Sequence, residues 1–382
     1  MVHEDRIQKV FSELVSFDSE SFKEKHIGEN IAGRLRNLGL EVTTYTGTDE
    51  QFLEAHPESF PNIYGLLKGN VPGEPVLFAA HLDTVAPGKG KRAVTDAEGT
   101  IRSVGDTVLG ADDLSGIVAI LEALTVIRET GKEHPDIEVL ITTAEEPFCE
   151  GSRYFDYSLI RSRAAYVLDL TGPIGTAAIA APTILSFTAE IRGKAAHAGF
   201  APEKGINALT IAAETLAEIP TGRVDAVSTV NIGTIAGGTA NNIVPETVRL
   251  TGEIRSLHHD KALRRTEEIF RKFDINTRKA GGIALCRRTE HIRAYSVEKD
   301  NPAVRRFEKA CVAEKLESRL ITTLGGSDAN RLNEAGISAI VTACGMENVH
   351  STEEYTRVED LRKSAELTLQ LMIIKEDESN EK

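Results

Sequence analysis

Pro75-Val-Leu-Phe-Ala-Ala-His81 is a short apolar run closed by an imidazole, with Leu82-Asp83 directly behind it. Such a run, without the alternation of a half-exposed strand, predicts a strand buried on both faces. Further along, Leu114 to Ile127 sets Ile117, Val118, Leu121 and Leu124 on one helical face, and Ile137–Thr142 and Ala164–Leu168 are again apolar runs. Strand, helix, strand in this order predicts an α/β fold, a mostly parallel sheet flanked by helices. Upstream, Val10 to Val15 and then Ile31, Leu35 and Leu38 follow helical spacing.

Near Pro182 the rhythm changes. Thr183–Arg192 alternates, a helix is expected over 205–218, and strands over 227–236 and 247–255. A helix over 260–273 and a strand at Gly281-Gly-Ile-Ala-Leu-Cys286 complete a set of two helices and four strands. The α/β pattern then returns with a helix at 301–316, strands at 319–323 and 337–342, and a helix at 359–374. The expectation is a split domain, 1–181 and 293–382, interrupted by a smaller α+β insert over 182–292.

Composition excludes several classes. Of 382 residues, 41% are hydrophobic and 27% charged, which rules out disordered and fibrous chains. Lys+Arg is 44 against Asp+Glu 58, a net charge of −14 that disfavours nucleic acid and anionic membrane surfaces. No apolar run approaches the roughly 20 residues needed to span a bilayer. The start, MVHEDRIQKVF, lacks a basic stretch followed by an apolar one, so no signal peptide is expected. The four cysteines form no CxxC pair, which fits reduced thiols in the cytoplasm. The polar stretch Lys375–Lys382 is expected to fray.

Five segments carry chemistry: His81-Leu-Asp83, Gly110-Ala-Asp112-Asp113, Glu145-Glu146, Asp169 and His350. Each has an ordinary reading alone, as a half-buried histidine, an N-cap or a solvated turn. Together, at the strand ends of one sheet, they gather acids and imidazoles in the crevice where open α/β sheets hold ligands. Like charges so crowded raise one another's pKa values, and divalent cations remove that penalty. Imidazole and carboxylate without thiolate suits zinc, with cobalt or manganese as substitutes.

The phrases HLDTV, GADDLSG, TTAEE, an aspartate on the next strand and a late VHS resemble the co-catalytic zinc metallopeptidases related to peptidase T, carboxypeptidase G and aminoacylase. The AHAG and GGTANNIVP phrases extend the resemblance through the insert, and GADD with GGTANNIVPETVRLTGEIRS is most similar to the peptidase T branch. The resemblance implies two zinc ions: His81 and Asp169 on one, Glu146 and His350 on the other, with Asp112 bridging. It implies Glu145 as general base and Asp83 as acceptor of the far N–H of His81, which would fix its tautomer. It also implies a cis peptide between Asp112 and Asp113, and retains Gly116 for close packing at the helix start.

In the insert, the resemblance implies that His197 stabilises the oxyanion, often from a partner subunit. It implies that Asn242 and Arg255 hold a substrate carboxylate. Gly326 and Ser327 resemble a substrate-binding loop, with a helix N-cap at Ser327 or Asp328 as the equal alternative. Relatives commonly carry a glycine two residues after the paired glutamates, whereas Pro147-Phe148 stands here, which leaves that pocket wall open. The expected activity is cleavage of short peptides by a di-/tripeptide aminopeptidase, acting as a homodimer through the lid. The alternatives are an N-acyl-amino-acid amidohydrolase or carboxypeptidase of the same machinery, and a catalytically silent scaffold.

Overall fold

The computed structural model describes residues 1–44 and 49–373; the stretch Lys375–Lys382 lies outside them. The chain forms two units. The first comprises Met1–Ala180, Ser296–Thr323 and the described chain from Ser327 onward, and the second Ala181–Tyr295 with Leu324–Gly326.

The first unit is built on a mixed sheet. Its centre is parallel, in the order Ile137–Thr142, Val76–His81, Ala164–Leu170, Ser338–Ala343. Antiparallel strands flank it: Ile63–Leu67 beside Ile137–Thr142, Glu41–Thr43 outside that, and Thr176–Ala181 beside Ser338–Ala343. The antiparallel margins are the part that apolar runs alone do not reveal. Val76–His81 and Ile137–Thr142 are buried at every position, as a two-face-covered strand requires. The helix Ala111–Thr130 is apolar nearly all round because it lies between the sheet and the helices Glu4–Val15 and Val358–Ile373. Its regular part starts at Leu114, since Asp112 and Asp113 have non-helical backbone angles and share a cis peptide bond. Gly116 lets that start press on the sheet: a Cβ there would stand 2.5 Å from the Leu168 carbonyl.

A small antiparallel sheet that the sequence reading did not anticipate joins distant segments. Its strands run in the order Met346–Glu347, Tyr355–Arg357, Thr100–Ser103, Ala93–Thr95. Each is too short, at four residues or fewer, to carry a readable pattern.

The second unit is a five-stranded antiparallel sheet in the order Gly222–Asp225, Ser228–Gly237, Thr247–Ser256, Thr183–Arg192, Ile283–Ile292. The alternation of Thr183–Arg192 puts Leu185, Phe187, Ala189 and Ile191 into a core with Ile211, Ile269 and Phe273 from the helices Ala208–Ala217 and His259–Lys279. The fifth strand, Gly222–Asp225, escaped the expected set of four because it is only four residues long, two of them exposed, with a single apolar residue, Val224. No described helix is long and apolar enough to cross a membrane.

Candidate metal centre

His81 is the last residue of its strand, and the register Ala79↔Val167, carried two residues on, sets His81 beside Asp169 with side chains on one face. Glu145 and Glu146 follow three and four residues after the neighbouring strand Ile137–Thr142. Asp112 comes from the kinked helix start, and His350 from the loop between Met346–Glu347 and Tyr355–Arg357, with a positive φ of 60°. Not all five segments are strand ends, therefore; the helix start and the loop meet the sheet's edge from outside it.

These side chains converge in two triads that share one residue. His81, Asp112 and Asp169 form the first; Asp112, Glu146 and His350 the second; within each triad the donor atoms lie within 4.8 Å of one another. Asp112 uses a different oxygen for each: Oδ1 is 3.1 Å from His81 Nε2, and Oδ2 is 3.2 Å from His350 Nε2. His350 Nε2 is also 3.0 Å from Glu146 Oε2, and His81 Nε2 is 4.0 Å from Asp169 Oδ1. The imidazole of His350 is half-exposed, at 53%, while its two acidic partners are at most 9% exposed, so the second triad is the one that faces solvent.

The electrostatics show what is missing from a protein-only account. Burial, followed by the charges of Asp112 and Glu145, pushes Asp169 well above the carboxylate range. Burial likewise raises Glu146, against its bond to His350, and raises Glu145, beside Asp328 and Glu146. Asp112 alone is driven down: burial opposes it, but the bonds to His350 and His81 outweigh burial. His350 rises to about 10 on its bonds to Asp112 and Glu146. Buried acids that cannot all ionise together, next to imidazoles, fit cations in their midst. Glu146 Oε1 points the same way, for it is buried and accepts no hydrogen bond. The donors are all imidazole and carboxylate, the set expected of a catalytic zinc or its substitutes.

Asp83 is fully buried but sits differently from the expectation. The strand stops at His81 and the chain turns, so His81 Nδ1 meets the Asp83 carbonyl at 2.9 Å and the carboxylate Oδ1 only at 3.5 Å. The carboxylate instead accepts the backbone N–H groups of Glu145 (2.8 Å) and Glu146 (3.2 Å) and the Ser21 hydroxyl (2.8 Å). Glu145 Oε1 accepts the Cys149 thiol at 3.2 Å, which leaves Oε2 for a proton. Asp113 faces away from the triads, accepting from the N–H groups of His81 and Gly116.

Residues absent from the sequence reading complete the surround. Glu24, fully buried, accepts from the N–H groups of Phe22 and Ala144 and from the Ser59 hydroxyl, so it holds the turn that starts Glu145. Ala144, Phe148 and Cys149 all adopt positive φ around the glutamate pair, the turn that Pro147 and Phe148 shape in this chain. Glu354 binds the loop that delivers Asp112. Only its place four residues after His350 could have drawn notice.

The second unit holds most of the other expected residues. His197 is exposed, stacks on Phe200 (4.2 Å) and accepts the N–H groups of Gly199 and Phe200 at Nδ1, each at 3.1 Å. Two donors at Nδ1 put the proton of the neutral ring on Nε2. Asn242 lies beside it, its carbonyl accepting from Ala198 N–H at 2.9 Å. Arg255 departs from a free clamp: Glu253 binds its Nε (2.6 Å) and Nη2 (3.2 Å), and Nη1 donates to the Leu324 carbonyl (3.0 Å). Gly326 is required by packing, since a Cβ there would stand 2.2 Å from Ile292 Cδ1. Ser327, in the first unit, is 4% exposed and caps the helix Asp328–Glu334 in a capping box with Asn330, so the N-cap alternative describes it.

Comparison with known proteins agrees with this anatomy. Residues 179–278 match the M20 peptidase dimerisation domain. The uncharacterized protein YqjE of Bacillus subtilis (strain 168) is 35% identical over 372 residues, covering 97% of this chain and 99% of that one. The aminopeptidase PepT of Bacillus cereus ATCC 10987 superposes with a TM-score of 0.89 at 34% identity, over 97% of this chain and 98% of that one. A tripeptidase from Staphylococcus aureus superposes with a TM-score of 0.92 at 29% identity, over the same shares of the two chains. Similarity over the full length at this level, together with the dimerisation domain in the insert, means that the chain belongs to the M20 family of peptidases, near peptidase T.

Proposed function

We propose that this peptidase is a two-metal aminopeptidase for di- and tripeptides. The observation that carries the reading is the pair of donor triads hinged on Asp112, with Glu145 next in the chain to Glu146. His81, Asp112 and Asp169 would hold one divalent cation, and Asp112, Glu146 and His350 the other, with zinc the best match to the donors. When bound, such a pair acidifies a water and polarises the scissile carbonyl. Glu145 takes the proton of the attacking water at Oε2 and returns it to the departing amine, as a general base that becomes the acid. Its backbone is fixed by Asp83, which keeps that oxygen in place. The exposed His197, with its proton on Nε2, is able to donate to a developing oxyanion, the role the resemblance gives it, often from a partner subunit.

Arg255 serves a substrate carboxylate less directly than expected, because Glu253 already engages two of its nitrogens. A dipeptide, a carboxypeptidase substrate and an N-acyl amino acid all carry a carboxylate one residue from the scissile bond, so the Arg255 pairing does not choose among them. Support for an aminopeptidase comes from similarity to the structures named as a PepT aminopeptidase and a tripeptidase. The dimerisation domain supports a homodimer, and four free cysteines support a reducing compartment such as the cytoplasm. The test is metal analysis paired with a panel of tripeptides, N-blocked tripeptides, dipeptides and N-acyl amino acids. Two metals per chain with cleavage that needs a free amino terminus is the expected result; equal cleavage of blocked and free peptides would refute the aminopeptidase reading.

A further inference from the structure

The helix Ala111–Thr130 begins at Gly110, which offers no side chain to its first N–H groups. Helix starts leave such donors unsatisfied, and a local Ser, Thr, Asp or Asn normally takes them. Here the acceptor comes from elsewhere in the chain. Glu354 Oε2 accepts the N–H groups of Leu109 and Gly110, both at 2.7 Å, and Oε1 accepts that of Asp112 at 2.9 Å. Glu354 is 2% exposed and follows His350 by four residues on the same loop.

We propose that Glu354 is a positioning residue that assembles the two metal sites before metal arrives, by fastening the loop of His350 to the backbone of Asp112. The proposal rests on the two-metal reading above and deepens it. Asp112 is the residue both triads share, and its own N–H is among the three that Glu354 holds. His350 rides on the loop that Glu354 belongs to. One carboxylate therefore fixes the distance between two ligands more than 230 residues apart in the chain, to which their own side chains contribute no covalent constraint.

Surrounding contacts leave this loop one position to occupy. The strand pairs Tyr355↔Arg102 and Arg357↔Thr100 align the two segments on one side of the clasp. On the other, Gly110 has φ +77°, and a Cβ there would stand 2.9 Å from Thr84 Cγ2 and 3.5 Å from Lys91 Nζ. Lys91 is buried and donates to the hydroxyls of Thr84 (3.1 Å) and Ser19 (3.3 Å), so a fixed ammonium stands against the glycine that the Glu354 carboxylate grips.

Glu354→Gln separates this role from ordinary stability. A glutamine oxygen can replace Oε2 and keep two amides, but its NH2 group then faces the N–H of Asp112; turned round, it abandons Leu109 and Gly110. Glu138 supplies the control. It is an equally buried carboxylate that accepts the N–H groups of Arg161 and Ser162, but it stands at the start of Ile137–Thr142, at the other end of the strand from Glu145.

The experiment titrates zinc into the chelator-stripped full chain, in competition with a chromophoric chelator, and repeats it with cobalt to read the ligand-field spectrum of each site. Wild type is expected to bind two ions and His350→Ala to weaken one of them. Glu354→Gln is expected to weaken both by tenfold to a hundredfold, the range for partners that orient metal ligands. Glu138→Gln is expected to lower the melting temperature and leave both affinities unchanged. Wild-type affinities in Glu354→Gln, with or without a lower melting temperature, would overturn the positioning role. A wild type that binds no metal would instead overturn the two-metal reading beneath it. Should Glu354→Gln fail to fold, hydrogen exchange on metal-free wild type decides: protected amides at Leu109, Gly110 and Asp112 support the clasp, and solvent-like exchange there refutes it.

Discussion

Asp83→Asn would show how far the glutamate pair depends on a carboxylate that their side chains never touch. Asp83 is fully buried, with Oδ1 on the N–H of Glu145 at 2.8 Å, and Oδ2 shared by the N–H of Glu146 at 3.2 Å and the Ser21 hydroxyl at 2.8 Å. An asparagine of the same shape can place its oxygen on one side only. With the oxygen toward Glu145, Ser21 can turn its hydroxyl to accept from the new NH2, but the N–H of Glu146 then faces a donor in a buried place. One charge-assisted bond is lost and one backbone donor stranded, a cost of about 2–3 kcal/mol. The opposite orientation strands Glu145 instead, at a similar cost. Either way the turn carrying base and ligand loosens, and a misplacement of about 1 Å there lowers kcat by about 100-fold. Urea unfolding of the metal-free protein followed by circular dichroism measures the first effect, and turnover of a tripeptide the second. A stability within about 0.5 kcal/mol of wild type, with undiminished kcat, would refute the reasoning, since no other described group stands ready to take both amides.

Three further outcomes follow from the same geometry. Glu145→Gln should keep both metals and lose about 100- to 10,000-fold in kcat; wild-type turnover would remove Glu145 from the proton path. Metal loading should release protons, because burial raises the pKa of Asp169 and Glu146 and a bound cation favours their charged forms. Calorimetry in buffers of different ionisation heat reads that release, and identical heats would contradict the crowded-acid account. Burial lowers the Lys91 pKa to about 8 from its ordinary 10.5. Between those values the unfolded chain binds more protons than the folded one, so stability should rise as pH climbs through that window. Lys91→Met should flatten the rise, and an unchanged slope in the variant would place the titration elsewhere.

What could be read beforehand, and what could not, divides along physical lines. Apolar runs at Val76–His81 and Ile137–Thr142 are legible because two-sided burial demands an unbroken apolar strand. Ligand candidates are legible because imidazoles and acids directly after such strands have few ordinary uses in such number. Asp83 was visible as a residue but not in its contacts, for its orientation depends on where the strand ends. Ser327 reads two ways in sequence, and only its burial and the Asn330 bond decide for the cap. The roles of Glu24 and Glu354 are not legible in sequence, since each grips an amide more than a hundred residues away, at Ala144 and Asp112, and only the nearness of Glu354 to His350 hints at one of them. The pairing of Arg255 with Glu253 was not read for a related reason: Glu253 lies two residues before it on one strand, so both side chains leave the same face, and a pair at that spacing can close on itself.

The acids around the site fall into two groups with opposite sources of compensation. Asp112, Glu146 and Asp169 turn inward toward one another: burial raises the pKa of Asp169 and Glu146, while the bonds to His350 and His81 drive that of Asp112 down. Asp83, Asp113, Glu24 and Glu354 turn outward and are met by backbone N–H groups and hydroxyls. Backbone amides stabilise a carboxylate through their dipoles but carry no net charge. Arginine or lysine in their place would bring positive charge within a few ångströms of the cleft and lower its affinity for divalent cations. Carboxyl groups held by neutral amides and hydroxyls bring no such charge behind the ligands; Lys91, which stands against Gly110, is bound to the hydroxyls of Thr84 and Ser19. On this argument, replacing any of the four outward acids with lysine should weaken metal binding more than replacing it with its own amide, even where the lysine is accommodated, because only the lysine adds charge as well as removing a bond. Equal losses for the two substitutions at Glu24, whose carboxylate reaches only the turn and not a ligand's own backbone, would show that geometry alone governs the site.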